Sequence, residues 1–265
     1  GLYLRFGDYE KALSFYNQAL QISEKMLGSE NLHVAATLNN LASLYFRIGD
    51  YEKALSLYDR SYNISEKLLG LEHPDVATAL NNLASLHGKI GDYEKALLLC
   101  NQALNISEKV LGPEHPDVAT TLDTLAGLYE SVGEYKKALP LYQRALEVTE
   151  KILGTDHPDV ATTLNNLAVL YKSMKDYEKA QSLFQRALDM REKILGPEHP
   201  DVATTLSNLA AAYYQIGAYD KALPLSQRAL DIREKKLGQK HPDTVTIKNN
   251  YNLLLSEINE ENEEE

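Results

Sequence analysis

Cysteine is nearly absent. A single residue of that type in 265, Cys100, excludes an intrachain disulfide framework and fits a reducing, cytoplasmic compartment. Positive charge is in deficit: 27 Lys and Arg face 38 Asp and Glu, for a net charge of −11. Nucleic acid needs a basic footprint, so it is not an expected partner. Six of the negative charges stand in the final stretch "EINEENEEE", as Glu257, Glu260, Glu261, Glu263, Glu264 and Glu265. No apolar run is long enough to cross a membrane, and no membrane partner is expected. No Gly-rich phosphate loop is seen, and no Ser/His/Asp or Cys/His set occurs once at a distinctive place. The chain therefore reads as non-enzymatic, with no cofactor and no metal. At 44% hydrophobic and 25% charged residues it has the composition of a folded protein.

What is present is repetition. "LGPEHPDVATTL" stands at 111–122 and again at 195–206, and 195 − 111 = 84 is two periods of 42. "LGTDHPDVATTL" starts at 153, "LGLEHPDVATAL" at 69, "LGQKHPDTVTIK" at 237 and a blurred "LGSENLHVAATL" at 27. "GDY" at 7, 49 and 91, "GEY" at 133, "KDY" at 175 and "GAY" at 217 keep the same beat. A strict period in this range predicts a solenoid, in which each unit buries its apolar face on its neighbours.

The recurring His-Pro-Asp invites a chemical reading. It carries the chaperone-stimulating motif of J-domains, but there it lies once, in a helical hairpin of a different pattern. A metal site fails on geometry. His73, His115, His157, His199 and His241 come one per unit. Helices stack ~8–10 Å apart, whereas His ligands lie ~2 Å from their ion. The tripeptide reads as a connector whose His ties neighbouring loops together.

One unit shows the local logic. Leu164, Leu167, Ala168 and Tyr171 recur at helical spacing, so 159–173 is an amphipathic helix. Lys175 takes the place of the usual Gly, and Asp176 is placed to cap the next helix. Tyr177, Ala180, Leu183, Phe184, Ala187 and Leu188 form that helix's apolar stripe. It stops at Gly196, expected as a left-handed cap. Pro200 opens the following helix, with Asp201 in its first turn near the positive end of the dipole.

Small residues recur at the helix crossings: Ala42, Ala84, Ala126, Ala168 and Ala210 in the first helices, Ala54, Ala96, Ala138, Ala180 and Ala222 in the second. The pattern Leu-Ala-x-x-Tyr, then Gly-x-Tyr-x-x-Ala-x-x-x-Tyr/Phe-x-x-Ala-Leu, resembles the tetratricopeptide repeat. The longer unit with "LNNLA" and "LGPEHPDVA" is similar to the kinesin light chain branch and its bacterial relatives. The resemblance implies an all-α fold, a right-handed superhelical solenoid of antiparallel helix pairs. Where standard units carry Trp this chain has Leu38, Leu80, Leu122, Leu164 and Leu206. Cys100 takes the place of Tyr58, Tyr142 and Phe184, which marks it as packing rather than a nucleophile.

The array divides into a partial repeat 1–34, repeats 35–76, 77–118, 119–160, 161–202 and 203–244, and a terminal helix 245–258. That helix carries Lys248, Tyr251 and Asn252 where earlier units have Leu, Leu and Ala. An acidic tail, 259–265, is expected to be disordered. "GLY" at 1–3 aligns with "GLY" at 127–129, so the array is expected to start inside a first helix. Leu2, Tyr3 and the inner face of 8–26 would then lack a partner surface, and self-association through that end is expected.

The resemblance also implies that the first helix of each unit lines a concave groove for an extended peptide of a protein partner. Its inner positions are Asn39 and Asn40, Asn81 and Asn82, Asp123 and Thr124, Asn165 and Asn166, and Ser207 and Asn208. Asn is a mediocre helix former, so propensity does not explain these pairs. Two roles stay open: holding a peptide backbone through donor and acceptor, or bonding the neighbouring helix. Arg5, Arg47 and Lys89 form a basic run, Glu130 interrupts it and Lys172 follows 42 residues later. Phe46 and Tyr214 add aromatic surface. An acidic segment with an aromatic or apolar anchor is the expected ligand. The alternative is a structural or self-assembling sensor arm of a larger protein.

Overall fold

The computed structural model describes residues 9–264, and the side chains of 11–260. Leu2, Tyr3 and Arg5 lie outside the described residues. Twelve helices and no strand occur among those described: α1 (Tyr9–Leu27), α2 (Leu32–Ile48), α3 (Tyr51–Leu69), α4 (Pro74–Lys89), α5 (Tyr93–Leu111), α6 (Pro116–Ser131), α7 (Tyr135–Leu153), α8 (Pro158–Ser173), α9 (Tyr177–Leu195), α10 (Pro200–Tyr214), α11 (Tyr219–Leu237) and α12 (Pro242–Glu264). The chain forms two compact units, Gly1–Val148 and Thr149–Glu265. Among the described residues no helix is long and apolar enough to cross a membrane.

The connectors work differently from the sequence expectation. Each His of His-Pro-Asp is the N-cap of its own helix. Nδ1 of His73, His115, His157, His199 and His241 accepts the backbone N–H two residues on, at 3.1–3.2 Å. Asn31 does the same for α2, accepting from His33 N at 2.9 Å. A helix start leaves backbone donors without intrahelical partners, and Pro at the first position removes one of them. Asp50, Asp92 and Asp176 cap α3, α5 and α9. Gly49 ends α2 at φ 85°, ψ 8°, the left-handed conformation that closes a Schellman turn, with Asp50 N–H on Tyr45 O at 3.0 Å. Gly196 has φ 86° but ψ 156°. Its φ is positive, as expected of a glycine cap, and its N–H closes on Glu192 O, but its ψ lies outside the left-handed helical well, in a region open chiefly to glycine.

The cores follow the repeat. All five Ala of the second-helix crossings are fully buried, as are Ala42, Ala84, Ala126 and Ala168. In the first unit Ala42, Ala54, Tyr58, Leu83 and Leu86 form one cluster. Ala84, Ala96, Cys100, Leu125 and Leu128 form the next. In the second unit Phe184, Leu206, Leu209, Leu230 and Ile247 join one continuous core. The Leu residues that replace Trp are all buried, each worth roughly 1.5–3 kcal/mol relative to exposure.

Polar links stitch successive repeats on the outside. Lys67 meets Glu30 at 2.5 Å, Lys193 meets Asp156 at 2.5 Å and Lys235 meets Glu198 at 2.6 Å; Lys109 meets Glu72 in the same way. A second series joins Arg60 to Glu24, Arg144 to Glu108, Arg186 to Glu150 and Arg228 to Glu192 at 2.5–2.6 Å. Such exposed pairs are worth about 0–1 kcal/mol each, so they set register more than stability.

The terminal helix buries Thr244, Ile247 and Leu254 and exposes Lys248, Asn249, Asn250 and Asn252. It continues to Glu264, through the acidic stretch expected to be disordered. Glu is a good helix former, and extending an existing helix avoids the cost of nucleation.

Candidate functional site

The even-numbered helices carry a solvent-facing stripe at i, i+4, i+7 and i+11, a spacing that keeps side chains on one helix face. On α2 it holds Ala36, Asn40, Ser43 and Arg47; on α4, Thr78, Asn82, Ser85 and Lys89; on α6, Thr120, Thr124, Gly127 and Ser131. On α8 it holds Thr162, Asn166, Val169 and Ser173, and on α10 Thr204, Asn208, Ala211 and Gln215.

The amides link one repeat to the next. Asn82 Nδ2 donates to Asn39 Oδ1 at 2.8 Å, and Asn208 Nδ2 donates to Asn165 Oδ1 at 3.2 Å. The second Asn of a pair thus reaches back to the first Asn of the preceding repeat. That first position lies one residue, about 100° of helix turn, off the exposed stripe. Asn81 and Asn165 are accordingly buried, at 7% and 6% exposure. Of the two roles left open for them, these contacts belong to the packing between helices. Asn81 Oδ1 lies 3.7 Å from the Cys100 Sγ, whose other acceptor is Thr121 O at 3.6 Å. Asn165 Nδ2 turns to Asn166 Oδ1 at 3.5 Å. Asn39, Asp123 and Ser207, at the equivalent place, are half-buried, and Asn40 is exposed. The Thr124 hydroxyl bonds to Thr120 O of its own helix at 3.1 Å.

Arg47 and Lys89 are exposed and carry no ion pair among the described residues. Glu130 and Lys172 do not share their position, since 130 − 47 = 83, one short of two periods. Ser131 and Ser173 occupy it, and Glu130 and Lys172 align with Phe46, Gly88 and Tyr214. Phe46 is half-buried against Tyr51, ring centroids 5.8 Å apart. Tyr214 donates to Glu257 at 3.1 Å and lies beside Tyr219. Its pKa is raised, first by that hydrogen bond to a carboxylate.

Two further groups escape a motif-based reading. Arg191 is 7% exposed, and its Nη1 donates to Asp201 O at 3.0 Å and Thr205 Oγ1 at 2.6 Å. Burial lowers its pKa. Arg233 is likewise buried, reaching Thr204 Oγ1 at 2.6 Å and Asp243 at 3.3 Å. The available signal is a register break: Ser65, Ser107 and Thr149 hold the same place in earlier repeats. His87, also buried, replaces Tyr45, Tyr129, Tyr171 and Tyr213. Those rings lie 5.1–5.5 Å beneath Lys53, Lys137, Lys179 and Lys221. Among the described residues no three of His, Cys, Asp and Glu gather as metal ligands.

The tetratricopeptide repeat family profile matches residues 1–67, 33–109, 75–151, 124–193, 159–235 and 201–263. Among curated proteins none matches. Among solved structures, BtubC (BKLC) from P. vanneervenii is 30% identical, with 86% of this chain and 91% of that one covered at a TM-score of 0.67. A putative kinesin light chain from Podosopora anserina with nearly identical TPR-like repeats is 26% identical, covering 79% and 98% at a TM-score of 0.60. A Rap protein complexed with competence and sporulation factor shares the fold at 18% identity and a TM-score of 0.65, covering 88% and 71%. With the repeat, the helix pairs and the profile in agreement, the chain belongs to the tetratricopeptide repeat family, in its kinesin light chain-like form.

Proposed function

We propose that the chain is a non-enzymatic protein-interaction scaffold, and that the exposed stripe of α2 and α4 holds an extended acidic segment of a partner protein. The family is generally one of protein–protein interaction. The observation that carries the reading is the link between Asn82 and Asn39. It uses one half of each amide. Asn39 Nδ2 and Asn82 Oδ1 remain, a donor and an acceptor on adjacent, half-buried side chains. An extended peptide group offers the complementary pair. Arg47 and Lys89 then supply charge on the same stripe, and a half-buried Phe46 supplies an apolar contact.

The test is fluorescence anisotropy with an acidic peptide bearing one aromatic residue, against wild type and the Arg47→Ala, Lys89→Ala double variant. Affinity is expected near micromolar, about −8 kcal/mol. Two exposed charge pairs at about 0.2–1 kcal/mol each give a two- to thirtyfold loss, and the salt dependence should flatten. Both residues are exposed, so melting should not change. Binding that is flat with salt and equal in the double variant would sink the proposal.

A further inference from the structure

The turn that follows α4 is built differently from its counterparts. Elsewhere the ring of Tyr45, Tyr129, Tyr171 or Tyr213 lies beneath the first-turn Lys of the following helix. That Lys also meets the acidic residue ahead of its helix: Lys53 with Asp50 and Lys179 with Asp176 at 2.7 Å, Lys137 with Glu134 at 3.5 Å. With His87 in the Tyr place, Lys95 makes neither contact among the described residues. The Asp92 carboxylate leans to the ring instead, Oδ2 lying 3.2 Å from Nδ1.

This ring is badly placed to hold a charge. It is 4% exposed, and neither nitrogen makes a hydrogen bond, the Asp92 oxygen being near but out of line. A neutral imidazole leaves one buried N–H unbonded; an imidazolium leaves two and buries its charge as well. The charged groups that face it are Asp92 and Lys95 of α5 and Asp59 of α3, while α6 meets this end of α4 through Leu128, against Gly88. Burial, then Lys95, outweigh the two carboxylates and lower the pKa. Asp92 has two other tasks. Its side chain caps α5 by accepting from Lys95 N, and its own N–H donates to His87 O at 2.9 Å, closing the turn. A carboxylate drawn to a charged ring leaves the cap, and a charged ring that moves to water breaks the turn. Both favour the open form.

We propose that His87 is a pH-sensitive latch on the α4–α5 turn: neutral, it keeps the turn closed and Lys89 fixed on the exposed stripe, and in acid the turn opens and Lys89 is released. The proton need not enter a closed core, because the turn opens locally by itself and acid raises the open population. The release of Lys89 bears on binding only through the α2–α4 reading above; the latch itself does not depend on that reading.

The test is amide exchange by NMR on the full ¹⁵N-labelled chain, wild type and His87→Tyr, at pH 7.5 and 5.5, with rates corrected for their intrinsic pH dependence. The Asp92 amide reports the turn. The Asp50 amide, bonded to Tyr45 O at 3.0 Å in the equivalent turn, is the reference. Protection of Asp92 relative to Asp50 should fall in wild type by up to about tenfold, the limit for a group with an ordinary value of about 6.5 that takes its proton only when open. Tyr is native to this position in other repeats, so His87→Tyr should fold, and its ratio should stay constant. A wild-type ratio that does not fall, or that falls equally in the variant, would overturn the proposal. In the anisotropy assay the acidic peptide should bind wild type more weakly at pH 5.5 than at 7.5, and His87→Tyr should not share that loss. An equal loss in both overturns the release of Lys89. A peptide that does not bind at pH 7.5 defeats the α2–α4 reading alone, and exchange then decides the latch.

Discussion

Replacing His115 by Ala tests whether His-Pro-Asp is punctuation or chemistry. The ring Nδ1 accepts from Asp117 N at 3.1 Å. The His115 carbonyl separately receives Val118 N at 2.9 Å and Ala119 N at 3.2 Å, and those bonds survive the change. Pro116 still opens the helix. The Asp117 side chain is 55% exposed, so water can reach the freed N–H, and the full penalty of a buried orphan donor does not apply. The loss is therefore one cap, about 1 kcal/mol. That corresponds to roughly 2–4 °C in Tm for a chain of this size, and about a fivefold fall in hydrogen-exchange protection where α6 opens locally. The chain contains its own control. Asn31 occupies the His place ahead of α2 and accepts from His33 N at 2.9 Å. His115→Asn should thus recover nearly all of the loss. The assay is calorimetry with exchange mass spectrometry over 112–131, on both variants. If His115→Ala leaves α6 protection unchanged, or if His115→Asn falls as far as His115→Ala, capping is the wrong account. Loss of partner binding in a fully stable His115→Ala variant would restore the chemical reading.

Two other outcomes follow from buried groups. Cys100 is fully buried and its thiol is pushed up to about 12 by burial, so a thiol reagent at pH 8 should label it only on unfolding, and rapid labelling of the native chain would refute its place in the core. His87 has its pKa lowered, chiefly by burial and secondly by Lys95, with Asp92 and Asp59 opposing. Folding favours its neutral form, so that contribution is complete above the unfolded value near 6.5 and is lost as pH falls toward the folded pKa. Wild type should therefore lose more Tm between pH 7.5 and 5.5 than His87→Tyr, and equal losses would contradict the assignment.

Helix order and core were legible because the 42-residue period repeats each buried position several times. Ala54 alone would say little; Ala54, Ala96, Ala138, Ala180 and Ala222 together mark a crossing. The partners of polar side chains were less legible. A His before Pro-Asp does not show which helix it serves, since both the loop and the next helix are within reach. The asparagine pairs left two roles open for a related reason. One residue of offset on a helix separates the buried Asn165 from the half-buried Asn166, and period alone does not say which of two adjacent positions faces water. The same one-residue offset placed Glu130 and Lys172 in the run of Arg47 and Lys89. His87 was legible only as a departure from Tyr; its unbonded ring depends on the packing around it.

The polar stitches between repeats have an evolutionary consequence. Each repeat between 35 and 202 holds an acidic residue at the position that faces its successor and a Lys at the position that faces its predecessor, as Lys67 does to Glu30 and Lys109 to Glu72. A cassette with both halves of its own interface is complementary to copies of itself. Within 35–202, tandem duplication or loss of one 42-residue block then keeps an acid at the place opposite each Lys of this series at the new junction. Array length can then change by whole repeats through unequal recombination without compensating substitutions in this series.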